Sequence, residues 1–123
     1  LQDQLGMAIM YITHNLGVIA EMAEQVIVMY LGKIVERADV DTIYHNPQHP
    51  YTRNLLLSIP RLGQKTGRRL QAIKGMVPDP FNLPQGCSFH TRCPDFMPGV
   101  CDAALPPEVE ISTGHRVLCH LHT

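Results

Sequence analysis

Gly6-Met7-Ala8-Ile9-Met10-Tyr11-Ile12-Thr13-His14-Asn15-Leu16 is the stretch on which the fold turns. Met7 to Ile12 is an unbroken apolar run, the pattern of a strand covered on both faces. Asn15 is a helix cap. Leu16, Ile19, Ala20 and Ala23 then share one helical face, with Glu21, Glu24 and Gln25 opposite. His14 thus stands where a buried strand is predicted to end and a helix to begin. Open α/β sheets gather their chemistry at that edge. A ring nitrogen placed there can reach a phosphate or a water, so His14 is the first candidate for contact with a reacting group.

Working outward, Val26 to Tyr30 reads as a second buried strand. Gly32-Lys33 gives a turn and Lys33 to Glu36 its hairpin partner. Strand, helix, strand, turn, strand is too little for a closed core, so further sheet upstream is expected. The chain opens on Leu1 with a polar, helix-like run to Leu5, which reads as a fragment lacking an upstream partner. Asp39 or Asp41 caps a helix over Val40 to Tyr44, and Pro47 stops it. Asn46 to Tyr51 is a rigid connector. Thr52 to Ile59 is a predicted helix burying Leu55, Leu56 and Ile59, closed by Pro60. Arg53, Arg61, Lys65, Arg68, Arg69 and Lys74 then occur with no acid among them, in an exposed loop punctuated by Gly63 and Gly67. Leu70 to Lys74 is a short strand candidate. Beyond it, Pro78, Pro80, Pro84, Pro94, Pro98, Pro106 and Pro107 exclude long regular elements. A tail so poor in periodic apolar residues must drape over another domain or be stapled.

The chain has 123 residues and a formal net charge of -1, which gives no global pull toward nucleic acid or anionic lipid. The basic stretch lacks interleaved aromatics, a second argument against nucleic acid. No apolar run approaches the ~20 residues of a membrane span, and no leader pattern is present, so a cytoplasmic protein is expected. Thiols there stay reduced, and a cluster of them points to metal. The spacing Cys87-x5-Cys93-x7-Cys101-x17-Cys119 is not a C-x2-C ribbon. Four loop thiolates can hold a [4Fe-4S] cluster or a tetrahedral zinc ion; free or disulfide-linked thiols are the remaining reading. Gly86 and Pro94 suit loops around a compact inorganic core. His90, His120 and His122 are substitute ligands that four cysteines do not need. His45 and His49 flank Pro47 without a third ligand nearby, so they are expected to cap or hydrogen-bond the connector, and Tyr51 to pack its ring.

Ile12-Thr13-His14-Asn15-Leu16, then Glu21 to Met29, then Gly32-Lys33-Ile34-Val35-Glu36 resembles the switch-histidine region of ATP-binding cassette ATPases. Asp41 to Leu56, with His49-Pro50-Tyr51 at its centre, resembles the segment that follows the ATPase domain in the oligopeptide and dipeptide importer subfamily. Val77-Pro78-Asp79-Pro80, Leu83 to Pro94 and His115 to His120 continue the likeness. The resemblance implies that His14 contacts the γ-phosphate of ATP and the attacking water. It implies coupling of ATP hydrolysis to uptake of peptides, or in some branches nickel or glutathione, through a membrane channel. It also favours the iron–sulfur cluster on Cys87, Cys93, Cys101 and Cys119, with zinc as runner-up. Where the family more often has an acid after the histidine, this chain has Asn15, which caps equally well.

The expected fold class is α/β: residues 1–38 as the C-terminal piece of a P-loop ATPase sheet, and 39–123 as a small, irregular, Pro-rich, Cys-containing domain. No phosphate loop, magnesium-binding acidic strand end or signature helix occurs in this sequence. ATP and magnesium are therefore expected only with an upstream half, and the chain alone is expected to be inactive. Implied partners are transmembrane permease subunits and a second ATPase subunit, at the cytoplasmic face of the membrane. The transported peptide is expected to touch the channel and a receptor, not this chain. The rival class is a non-enzymatic metal-binding interaction module in which the cysteines matter and His14 is ordinary.

Overall fold

A computed structural model of the chain describes residues 6–58, 73 and 75–123. The elements are α1 (Leu16–Met22), β1 (Gln25–Tyr30), β2 (Lys33–Asp39), α2 (Val40–His45), α3 (Pro50–Leu57), β3 (Glu108–Ser112) and β4 (His115–Leu118). Single turns of 3-10 helix lie at His90–Arg92 and His120–His122. The strands form one antiparallel sheet in the order β1-β2-β4-β3. Mixed helix and sheet agrees with the expected class. The arrangement differs from the expected one in two places.

Met7 to Ile12 is not a strand, and Met10 and Ile12 are 83% and 89% exposed. A strand needs a neighbour for its N–H and C=O groups, and none of the described strands lies beside this run. In β1 only one face is covered: Val26 and Tyr30 are buried, whereas Ile27 and Met29 are more than half exposed. β1 is an edge strand packed on a single side, so its apolar run alternates in burial despite its uniform composition. The second difference is where β2 finds its other neighbour. Glu36 pairs with Val117 and Arg37 with Arg116, so the sheet extends with chain from the far end.

The β3–β4 hairpin escaped the sequence reading, although Glu108-Val109-Glu110-Ile111 alternates and Gly114, at φ 76°, makes the turn. On the sheet's outer face, Glu108 lies 3.8 Å from Arg37 and 3.7 Å from Arg116, an exposed ladder that contributes little to stability. The β1–β2 turn is Leu31-Gly32, both with positive φ, and Lys33 already belongs to β2.

The inner face carries two apolar clusters. Val26, Ala38 and Ile43 pack with Ile19, Ala23, Val28, Val40 and Tyr44, joining α1 and α2 to the first hairpin. The Tyr44 hydroxyl also donates to the Leu16 carbonyl. Asp39 caps α2 through the Thr42 N–H at 3.0 Å, as its sequence position predicts. The second cluster is Tyr30, Val35 and Phe89, with Tyr51 against it. Tyr30, Tyr51 and Phe89 form an aromatic triangle with centroids 4.7, 5.2 and 5.3 Å apart. The α3 helix starts two residues earlier than predicted, and its buried positions are Pro50 and Thr52, with Leu55 and Leu56 half-buried. Of the Leu70 to Lys74 strand candidate only Ile73 is described, and it is not in a strand; Ile59, Pro60, the run Leu1 to Leu5 and the basic residues Arg61 to Arg69 and Lys74 lie outside the described residues.

A β-bulge between the first two strands sets the centre of the fold. Val28 pairs with Glu36 and Met29 with Ile34, so Val35 is the extra residue and both Val35 and Glu36 turn inward. The buried Glu36 carboxylate accepts the Gln48 N–H at 2.8 Å and the His49 N–H at 2.9 Å. It also takes the His115 Nε2 hydrogen bond at 2.7 Å. Pro47 and Pro50 have no N–H, so one carboxylate satisfies both backbone N–H groups that the Pro47–Pro50 connector possesses. His49 then caps α3, its Nδ1 accepting the Tyr51 N–H at 3.0 Å, with Pro50 in the first turn. This is the structural role expected of His49. His45 is exposed in the last turn of α2.

Glu36→Ala leaves two backbone donors and a buried imidazole unpaired and should cost about 3–5 kcal/mol, measured by urea unfolding. A loss below about 1 kcal/mol would show that the carboxylate is not the clasp described. Burial lowers the His49 pKa to about 4, outweighing the nearby Glu36 charge and the Leu118 carbonyl; His122 and Arg53 lower it further. The unfolded imidazole titrates near 6.5. Stability from keeping this ring neutral is complete above about pH 6.5 and declines as the pH falls toward about 4. His49→Asn, which keeps the cap, should flatten unfolding free energy against pH across that interval.

Candidate metal centre and switch-histidine segment

His14 lies exposed at a bend immediately before α1. The backbone after it is held by two short contacts. Thr13 Oγ1 accepts the Asn15 N–H at 3.0 Å, and Asn15 Oδ1 accepts the Val18 N–H at 3.3 Å. Asn15 is therefore the cap its position predicts. The turn is set by side chains of its own segment, and His14 is not among the residues that line the cysteine pocket.

The four cysteines come together around one pocket, lined also by His49, Pro50, Phe89 and Leu121. Local geometry explains how distant residues converge. Gly86 has φ 79°, and a Cβ there would meet the Cys101 carbonyl oxygen at 2.3 Å. Only glycine allows the two loops to approach this closely, and the Cys87 N–H then donates to the Cys101 carbonyl at 2.8 Å. The 3-10 turn at His90–Arg92 returns the chain to Cys93, whose N–H donates to the His90 carbonyl at 3.4 Å. Cys119 follows the last residue of β4, so the sheet itself delivers the fourth thiol. Cys101 and Cys119 are buried, Cys87 and Cys93 half-buried, and all four are free thiols.

Burial pushes the Cys87 and Cys119 thiols up and takes Cys93 to about 11. Their mutual negative charge adds to the same direction. Such thiols hold their protons at neutral pH unless a cationic group takes their place. Among the described residues no three His, Cys, Asp or Glu side chains are disposed to hold a single metal ion. Two lining histidines are already engaged: His90 Nδ1 with the Cys87 carbonyl at 2.7 Å, and His120 Nε2 with the Ala104 carbonyl at 2.8 Å. His49 on the pocket wall was not foreseen. Its backbone is placed by Glu36, 13 positions earlier in the chain, and no local pattern announces that link.

Residues 35–101 match the family model of the oligopeptide/dipeptide transporter, C-terminal region. That span opens at the bulge residue of β2 and closes on Cys101. A putative peptide import ATP-binding protein of Brucella ovis is 48% identical over 124 residues, covering 97% of this chain and 36% of that protein. In Bacillus subtilis, the oligopeptide transport ATP-binding protein AppD is 45% identical over 99% of this chain and 37% of its own length. AppF, of the same printed description, is 40% identical over 100% of this chain and 38% of its own. The chain therefore spans little more than a third of the length of these relatives. The segment that carries the Glu36 clasp, the His49-Pro50-Tyr51 connector and three of the four pocket cysteines is the one the family model describes, and the chain belongs to the oligopeptide/dipeptide transporter C-terminal region family.

Proposed function

We propose that the chain is the C-terminal portion of the ATPase subunit that energises ABC-type import of peptides. The observation that carries this is similarity along 97–100% of the chain, at 40–48% identity, to proteins whose names state peptide import or oligopeptide transport and ATP binding. In this reading residues 1–38 close the nucleotide-binding domain and residues 39–123 form the subfamily's appended domain. The pairing of β2 with β4 welds the two stretches along one sheet.

His14 is the γ-phosphate sensor. Its imidazole donates to a terminal phosphate oxygen and steers the attacking water. The Thr13–Asn15–Val18 contacts fix the turn that presents it. ATP and magnesium are bound by upstream motifs that this sequence lacks, so this chain by itself is proposed to be inactive. The partners are transmembrane permease subunits and a second ATPase subunit, which completes the site across a dimer. Nucleic acid is not a partner, and the peptide cargo touches the channel rather than this chain. No helix among the described residues is long and apolar enough to cross a membrane. A peripheral position on the cytoplasmic face, held by the permease, accords with that.

We further assign Cys87, Cys93, Cys101 and Cys119 as ligands of a [4Fe-4S] cluster. The donor set fits: four thiols line one pocket whose other walls, among the described residues, are His49, Pro50, Phe89, His90, Asp95, His120 and Leu121, with no lysine or arginine among them. Each thiolate around a cubane binds a different iron, so the four stand further apart than ligands of one ion. No arrangement for a single ion occurs among the described residues, and zinc remains the runner-up. The cavity is about 10 Å³, room for about one water, so holding the group requires the loops carrying Cys87, Cys93 and Cys101 to part. When bound, the cluster would cross-link those loops to the end of β4.

In the full-length subunit assembled with its permease, His14→Ala should abolish ATP turnover while leaving nucleotide binding within a few-fold. Turnover indifferent to His14 would favour the non-enzymatic module. Anaerobic incubation of this chain with ferrous iron and sulfide should give a brown protein with about four irons per chain, and Cys93→Ser should fail to hold them. A colourless protein binding one zinc would replace the cluster with the runner-up.

A further inference from the structure

Cys87 and Cys101 differ from the other cysteine pairings in one respect: their backbones touch. The Cys87 N–H donates to the Cys101 carbonyl at 2.8 Å. A Cβ on Gly86 would lie 2.3 Å from that oxygen and 3.0 Å from the Asp102 carbonyl carbon, a closeness that only glycine permits. The α-carbons of residues bonded in this way stand roughly 5–6 Å apart, within the span of ordinary disulfides. Neither Cys93 nor Cys119 has a backbone bond to another cysteine among the described residues. Both Cys87 and Cys101 line the same pocket. Burial, and beside it the charge of Cys101, push the Cys87 thiol up, so the two sulfurs are near enough to feel each other. The cavity there is about 10 Å³. A disulfide needs no more room, because it removes two hydrogens and draws two sulfurs to about 2.05 Å.

We propose that Cys87 and Cys101 form a disulfide by exchange with a small-molecule disulfide, and that this bond is a reversible oxidised state of the pocket. Cys87 is half-buried and Cys101 buried, so Cys87 meets the reagent first. Its thiolate attacks one sulfur of the small disulfide and expels one small thiolate, leaving a mixed disulfide. The Cys101 thiolate then attacks Cys87 Sγ, forms the Sγ–Sγ bond and expels the second. In balance, two protein thiols are oxidised, and their two electrons and two protons leave on two small thiols. Buried thiols attack slowly, so the exchange takes hours rather than seconds. In a reducing compartment the free thiols are the resting state, and the bond marks an oxidising shift. The bond withdraws two of the ligands assigned above, so it and the cluster exclude each other; the pairing itself does not rest on that assignment.

Chain statistics favour other pairs. The loops Cys87-x5-Cys93 and Cys93-x7-Cys101 are shorter than the one that Cys87 and Cys101 close, and short loops close at lower entropic cost. A Cys87–Cys101 link therefore reports the fold. The reduced, metal-free chain is incubated with oxidised glutathione, with and without urea, and the remaining thiols are alkylated. Trypsin and an Asp-specific protease together cut between all four cysteines, so mapping the unreduced peptides by mass identifies each link. In the folded chain two of the four alkylation sites should be lost, and residues 79–92 should be joined to residues 95–101. Excess reduced glutathione should restore both sites. In urea the short-loop links should dominate. Four alkylated cysteines after a day with the oxidant overturn the proposal. So does a folded chain whose main link joins any other pair, or the same Cys87–Cys101 preference in urea.

Discussion

One buried carboxylate ties the molecule together. Glu36 reaches the interior because a bulge in β2 turns two consecutive side chains inward. Once there, it must be paired, since an isolated buried carboxylate is prohibitively costly. Its three hydrogen bonds go to two different parts of the chain: the Gln48 and His49 amides of the connector and the His115 ring of β4. The connector has prolines at positions 47 and 50 and could not satisfy those amides by forming regular structure of its own. The sheet, the start of α3 and the C-terminal hairpin are therefore positioned by a single group, and each depends on the others.

The thiol pocket inherits its geometry from that clasp. β4 carries Cys119 beyond its last residue, and β4 is held against β2 by the backbone ladder and by the His115–Glu36 contact. His49 forms part of the pocket wall and takes its place from the same carboxylate. Cys87 and Cys101 are brought together by a different device, the close backbone approach that Gly86 permits. The Tyr30–Tyr51–Phe89 triangle fills the space between the strands and the cysteine loops, joining the pocket to the core. His14 lies outside this arrangement, in a turn set by Thr13 and Asn15.

Much of what could be read locally was read correctly. The Asn15 and Asp39 caps, the first hairpin and the stop at Pro47 follow from residues within four positions of one another. The misses share a cause. The apolar run from Met7 to Ile12 has the composition of a strand, but pairing is a property of two segments, and no described strand lies beside it. β1 has an equally apolar run, yet it lies at a sheet edge and buries only one side. The β3–β4 hairpin had a legible alternation and a glycine turn that the dense prolines before it obscured.

By itself the sequence determined the helix caps, the first hairpin, the family and the identity of the candidate ligands, because capping, turn formation and thiol chemistry depend on residue type and short spacing. Only the tertiary structure decided that β2 pairs with β4, that Glu36 is a buried three-way acceptor, and that His49 shares a pocket with four cysteines. These contacts join positions 12 to 81 residues apart. Nothing in a residue's own neighbourhood encodes such a link; it arises from the need to pair every buried polar group once the chain has closed on itself.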